Sequence, residues 1–199
     1  MTDITILVEG KIDELVLKKI LETAGHTMSQ SLGKQGKGFV KERIRKYAQA
    51  ARWIPIIVLV DLDSEQKCAP KLIEEWNVPA HLTFRVAVKE IESWLLADTK
   101  NFSAFFSVYT DKIPQKTDEL ENPKKFLISL CSTSRKREIR EGMVPRNEGG
   151  REVGAGYSAF MTEYITQFWN PNNAANRSES LKRTIDRIKL KFANTPATG

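Results

Sequence analysis

Six carboxylates stand at or just past the ends of short apolar runs. Ile4 to Val8 leads into Glu9-Gly10, Ile54 to Val60 leads into Asp61-Leu62-Asp63, and Leu82 to Val88 is followed by Glu90 and Glu92. Asp13 comes one helical turn after Glu9, which lets it point back toward the same place. Gathering that many negative charges is unfavourable, by repulsion and desolvation, unless protons or cations neutralise them. Hard divalent cations meet the need: Mg²⁺ and Mn²⁺ take oxygen ligands, commonly one or two carboxylates, with water and substrate phosphate completing the shell. The alternation in Asp61-Leu62-Asp63 would turn both acids toward one ion while Leu62 faces the core. Taken alone, Asp63 has a second reading as a helix cap before Ser64-Glu65. Glu14, Glu22, Glu65, Glu74 and Glu75 read as solvated helix faces and stay outside the site. His26 and His81 are isolated. Cys68 and Cys131 lack a C-x-x-C spacing and read as buried thiols.

The elements that must position these acids follow from periodicity. Ile4 to Val8 is a strand, and Ile12, Leu15, Val16 and Ile20 continue it as a helix. A second short strand is expected near Met28 to Leu32. The loop Gly33-Lys-Gln-Gly-Lys-Gly38 comes next, then Val40, Ile44, Tyr47, Ala48 and Ala51 at helical spacing. Ile54 to Val60, β-branched and without alternation, fits a strand covered on both faces. Ala69, Leu72, Ile73 and Trp76 mark a third helix with Pro70 in its first turn, and Leu82 to Val88 a fourth strand. Strands alternating with helices imply an α/β fold with a parallel sheet. Such sheets bind ligands outside the carboxyl ends of their strands, where the acids lie.

From Glu90 onward the pattern is helical. Ile91, Trp94 and Leu95 share a face, Asn122-Pro123 reads as an N-cap before Phe126, Leu127 and Leu130, and amphipathic stripes run from Tyr157 to Phe168 and from Leu181 to Phe192. Thr133 to Gly156 lacks periodicity and reads as a loop. The four tryptophans read as packing residues, and the tail from Asn194 should fray. The expected organisation is a core over residues 1–98 and a helical, basic extension over residues 99–199, packed as one unit.

With 199 residues, 41% hydrophobic and 28% charged, the chain has the composition of a globular protein, not of a disordered or collagen-like one. No apolar run is long enough to cross a bilayer and no leader opens the chain, so a cytoplasmic location is expected. The formal net charge of +6 is uneven: residues 1–99 carry 14 basic and 14 acidic side chains, residues 100–199 carry 17 and 11. A basic half attracts nucleic-acid phosphates. Candidate contacts are Lys34 and Lys37 in the glycine-rich loop, and Arg135, Lys136, Arg137 and Arg140 in the aperiodic segment, which also carries Arg146 and Arg151. A flexible turn and a solvated, ion-paired loop are the competing readings.

Ile6-Leu-Val-Glu-Gly-Lys-Ile-Asp13 together with Val58-Leu-Val-Asp-Leu-Asp63 resembles the TOPRIM domain, whose signature is a strand-end glutamate and an Asp-x-Asp pair. Topoisomerases, primases and nucleases of the overcoming-lysogenization-defect type share it. The resemblance covers residues 4–98. Val88-Lys-Glu-Ile-Glu-Ser-Trp-Leu-Leu-Ala-Asp98 is similar to stretches in stand-alone TOPRIM-like bacterial proteins, often associated with phage defence. A Rossmann-like fold is implied, with a four-stranded, mostly parallel sheet flanked by helices and a C-terminal helical extension, as is Mg²⁺- or Mn²⁺-dependent phosphodiester chemistry with one or two ions.

Carried across, Glu9 is a metal ligand or general acid/base, Asp61 and Asp63 are metal ligands and Asp13 is a supporting acid. In the nuclease branch a later acid and a lysine would fall on Glu90 or Glu92 and on Lys124 or Lys125, with Lys125 favoured. The chain lacks a P-loop, so ATP would be bound by a separate ATPase partner. No tyrosine nucleophile of a topoisomerase is evident, though Tyr157 sits in a glycine-rich setting. The expected activity is a metal-dependent nuclease in a prokaryotic cytoplasm, with nucleic acid as partner, DNA ahead of RNA. The alternatives are a non-cleaving module that binds nucleic acid or a partner, and a Mg²⁺-dependent phosphoryl-transfer enzyme acting on nucleotides.

Overall fold

A computed structural model describes residues 1–63, 68–146 and 150–193. Ser64 and Glu65 of the capping reading, Glu148 and Gly149 of the aperiodic segment, and the tail expected to fray lie outside the described residues. The chain divides into two compact units, Met1–Val88 with Ser180–Gly199, and Lys89–Glu179. The boundary by packing therefore falls before Glu90 rather than at 98, and the last helix belongs to the first unit.

The first unit is an α/β sheet of four parallel strands: β1 (Asp3–Val8), β2 (Thr27–Gly33), β3 (Ile56–Asp61) and β4 (Thr83–Ala87). Helices α1 (Lys11–Thr23), α2 (Gly36–Ala50) and α3 (Ala69–Glu75) make the crossovers. The strand order is β2-β1-β3-β4. β1 and β3 are central, and their apolar runs Ile4-Thr-Ile-Leu-Val8 and Ile56-Ile-Val-Leu-Val60 are buried without alternation, as sheets covered on both faces require. β2, at an edge, is polar and only partly buried. The expected strand start at Ile54 moves to Ile56, because Trp53 and Ile54 lie in the preceding turn, Trp53 87% exposed. It is the one tryptophan of the four that packs into nothing.

Val40, Ile44 and Ala48 of α2 and Leu72 of α3 pack with Leu7, Val58, Val60, Phe84 and Val86 on one face of the sheet. Arg85, pointing the opposite way from Phe84 and Val86, donates from Nε to Thr184 Oγ1 of the last helix, 3.2 Å away. That helix, α10 (Glu179–Phe192), buries Leu181, Ile185, Ile188 and Phe192 at helical spacing.

Among its described residues the second unit has helices and no strand: α4 (Ile91–Ala97), α5 (Thr99–Phe106), α6 (Pro123–Ser132), α7 (Arg137–Met143), α8 (Tyr157–Glu163) and α9 (Pro171–Ala174). Every residue of α4 is buried. Its backbone is tied by polar tips of large aromatics: Trp169 Nε1 donates to Trp94 O at 3.2 Å and the Tyr164 hydroxyl to Leu95 O at 3.1 Å. Pro123 does open α6, but the Asn122 side chain makes no capping bond. The stripe expected to run as one helix to Phe168 passes into a π-helical turn at Tyr164–Phe168, which leaves Phe168 partly exposed.

The segment expected to be a loop contains α7, with Ile139 and Met143 buried four residues apart. Two apolar positions in seven residues are too few to show a period among so many charges. Past α7 the chain folds back closely: Gly154 N–H donates to Met143 O at 2.9 Å and Gly156 N–H to Gly142 O at 2.8 Å. A Cβ on Gly154 would lie 2.2 Å from Gly142 O, so this approach needs glycine.

Candidate functional site

In the order β2-β1-β3-β4 the chain leaves β1 toward one edge and β3 toward the other, so the helices after these strands diverge and open a crevice at their carboxyl ends. Glu9 follows β1 and Asp61 closes β3. The two meet directly: Glu9 Oε1 accepts the Asp61 N–H at 2.8 Å. Asp13, in the first turn of α1, is 6% exposed and folds back over Gly10, where a Cβ would lie 3.0 Å from Asp13 Oδ2. Leu62 is buried, as expected, but β3 has ended by then. Asp63 has a left-handed backbone, φ +61°, which aspartate tolerates better than most residues.

Two lysines reach these ends. Lys37, in the first turn of α2, donates from Nζ to Asp61 O at 2.7 Å, Leu62 O at 3.2 Å and Asp63 Oδ2 at 2.7 Å. Lys34 Nζ lies 3.3 Å from Glu14 Oε1, whose other oxygen takes Lys11 at 2.6 Å. Glu14 is therefore no solvated residue: it is 7% exposed. Burial pushes its carboxyl up, but the bonds from Lys11 and Lys34 win and hold it below the usual glutamate range. The glycine-rich loop thus differs from the expected phosphate hook, since both of its lysines face carboxylates of their own unit.

Burial raises the Glu9 carboxyl to about 7; Asp13 and Asp63 add to the rise, while the Asp61 N–H and the Lys37 charge oppose it. Because the folded pKa lies above the unfolded one, stability from the protonated form is complete below about pH 4.5 and is lost as pH rises through about 7. Glutamine imitates the protonated acid. In metal-free buffer, Glu9→Gln should therefore lose less melting temperature than the parent between about pH 5 and pH 8. Parallel curves over that range would show that Glu9 does not titrate there.

In the second unit, Glu90 Oε2 accepts the Lys124 N–H at 2.8 Å, satisfying a donor in the first turn of α6. Lys124 Nζ stands 3.6 Å from Glu92 Oε1 and 3.9 Å from Glu90 Oε1. Lys125, the lysine favoured for this place, is exposed. One residue along a helix turns a side chain by about 100°, enough to send it away from the acids. Tyr157 donates to Glu92 Oε1 at 2.6 Å, a partner that no local spacing revealed. Glu92 is 2% exposed, its Oε2 has no hydrogen-bond partner among the described residues, and burial raises its pKa against the pull of Lys124 and Tyr157.

The basic segment is held by its own unit. Arg137 Nε pairs with Glu141 at 2.7 Å, Arg140 donates to Ser134 O, Lys136 Nζ donates to Phe105 O at 3.3 Å, and the Arg135 guanidinium lies 5.7 Å from the Tyr109 ring centroid. Arg135, Lys136 and Arg137 stay exposed. His81 bonds Ala48 O at 2.7 Å and His26 packs edge-on against Phe192, so neither joins the acids. Cys131 is buried and its thiol pushed up to about 12 by that burial; Cys68 is only half-buried.

Among the described residues no group of three or more His, Cys, Asp or Glu side chains is arranged to hold a metal ion. The donors at the β1 and β3 ends still fit Mg²⁺ or Mn²⁺ in kind: they are hard oxygens, and Lys37 already brings a cationic group onto the Asp61, Leu62 and Asp63 oxygens. Mg²⁺ needs only one or two carboxylates when a substrate phosphate supplies further oxygens. No family model, curated protein or solved structure matches the chain. Among the described residues no helix is long and apolar enough to cross a membrane.

Proposed function

We propose that the chain is a metal-dependent phosphodiester hydrolase of the TOPRIM type, acting on nucleic acid from the carboxyl ends of β1 and β3. The observation that carries this reading is the contact between Glu9 and Asp61, 52 residues apart and joined at the point where strand order reverses. Asp61 and Asp63 would hold Mg²⁺ or Mn²⁺, with Glu9 beside them to accept a proton from the attacking water, its carboxyl made basic enough chiefly by burial and further by the neighbouring Asp13 charge. The cation, when bound, supplies charge to the phosphoryl oxygens and eases ionisation of that water. Glu90, Glu92 and Lys125 have no part in this reading, because Lys124 and Tyr157 engage the two acids and Lys125 faces away. Phage defence, a prokaryotic cytoplasm and a separate ATPase remain expectations of the resemblance.

Purified protein should cut single-stranded, duplex or circular DNA with Mg²⁺ or Mn²⁺ and stop with a chelator. A second reading, a module that binds nucleic acid without cutting, is favoured by the lack of a ready three-carboxylate group among the described residues. It gains the ground if every preparation binds nucleic acid and none cuts it. Turnover of mononucleotides in preference to polymers would select the phosphoryl-transfer alternative.

Binding has its own test. Arg135 and Lys136 are exposed, so changing both to Ala should lower the slope of log affinity against log salt by about one to two counterions and weaken binding across sequences alike. An unchanged slope removes α7 and its approach from the interface.

A further inference from the structure

Lys37 uses all three ammonium donors on oxygens at the end of β3: two backbone carbonyls, of Asp61 and Leu62, and the carboxylate of Asp63. Its stem runs from the first turn of α2, and the side chain as a whole is about three-quarters shielded from solvent, 24% exposed. Two carbonyls and a carboxylate converging on one point are the oxygen types a small hard cation selects. Asp63 reaches that point through a left-handed backbone, so an unfavourable conformation accompanies the contact. A solvated surface lysine would need none of this, and a phosphate hook would keep its donors open.

We infer that Lys37 is a tethered competitor for the divalent cation, holding Asp63 until the metal displaces its ammonium. The inference rests on the proposed reading of Glu9, Asp61 and Asp63 as the metal site. A lysine head and a divalent ion compete for the same carboxylate oxygen, since two cations at contact distance repel in a partly shielded setting. The ammonium stabilises the Asp63 carboxylate while no metal is present, and a metal taken on Asp63 Oδ2 breaks a charge-assisted hydrogen bond to bind. Once displaced, the same ammonium stands at the crevice with open donors, which is the state in which it can meet a phosphate oxygen. Lys37 then acts as a positioning residue for Asp63 first and as a phosphate contact only afterwards.

The test is metal binding, not turnover. Mn²⁺ is titrated calorimetrically into the full chain and into Lys37→Met, Lys37→Gln and Asp61→Asn at fixed pH and salt, and melting temperatures are taken with and without Mn²⁺. Both Lys37 variants should bind Mn²⁺ about tenfold more tightly than the parent, as expected for loss of one charge-assisted hydrogen bond. Their melting temperatures should fall without metal and recover more when it is added. Should Lys37→Met fail to fold, Lys37→Gln, which keeps the stem and a polar head, decides. If the parent binds Mn²⁺ through Asp61 and both variants bind equally or more weakly, the competition is wrong and the metal site stands. If no protein binds Mn²⁺, or Asp61→Asn binds as the parent does, the metal site itself is wrong and the competition falls with it.

Discussion

Asp61→Asn should reduce Mg²⁺- or Mn²⁺-dependent cleavage by at least about a thousandfold while leaving the melting temperature within a few degrees of the parent. The substitution is nearly isosteric and removes only the carboxylate charge. The backbone N–H of residue 61 still donates to Glu9 Oε1, and the backbone carbonyl still accepts from Lys37, so the contacts that join β1, β3 and α2 at this point survive. What is lost is the charge that would hold the cation against the repulsion of phosphate. Rates are compared on one substrate under single-turnover conditions, beside Glu9→Gln, which also keeps its acceptor for the Asp61 N–H. Cleavage at parental speed by a folded Asp61→Asn protein would place the chemistry elsewhere or assign it to a contaminant.

The largest stability effect expected from one methyl group is at Gly33, the last residue of β2. Its φ is +91°, and a Cβ there would lie 2.2 Å from Val8 O and 3.2 Å from Leu7 Cδ1. The obstacle is backbone, and it is the backbone of the strand that ends at Glu9. Val8 O also accepts the Lys34 N–H at 2.9 Å, and Glu9 O accepts the Gly36 N–H at 3.0 Å, so the strand cannot recede without breaking the clasp between β1 and the loop into α2. Gly33→Ala should therefore cost about 3 kcal/mol or more, the sum of a left-handed backbone and a steric collision.

Gly36 is the matched control. Its φ is +83°, yet nothing lies within 4 Å of the place a methyl would take, so Gly36→Ala should cost only about 1 kcal/mol from the backbone alone. Urea midpoints of the two variants separate the terms, and equal costs would show that β2 and β1 do not approach as closely as described. Because the Gly33 clash falls on the strand carrying Glu9, the surviving folded fraction of Gly33→Ala should also lose cleavage beyond what its population explains.

Several features are legible along the chain because their causes are local. Ile56 to Val60 is apolar at every position, which only a strand buried on both faces tolerates in so short a run, and Pro70 in a first turn places the start of α3. α7 is not legible because Ile139 and Met143 are its only buried side chains, and its C-terminal end is held by Gly142, Gly154 and Gly156, residues that ordinarily signal a loop. The burial of Glu14 is half local: Lys11, three residues before it on the same helix, is its nearer partner, but the second lysine comes from position 34, on another element, and no periodicity marks that contact.

By itself the sequence determined that strands alternate with helices in the first part of the chain, that helices follow, and that acids stand at three strand ends. Hydrophobic period and residue type are properties of short windows, so no knowledge of neighbours is needed to read them. The tertiary structure alone decided that β1 lies beside β3, which brings Glu9 to Asp61, and that Lys37, Lys34 and Lys124 turn to carboxylates while Lys125 turns away. A lysine side chain is long and flexible enough to reach any of several groups, and a strand can pair with any other of similar pattern. Only the closing of the sheet and the packing of each unit choose among those partners.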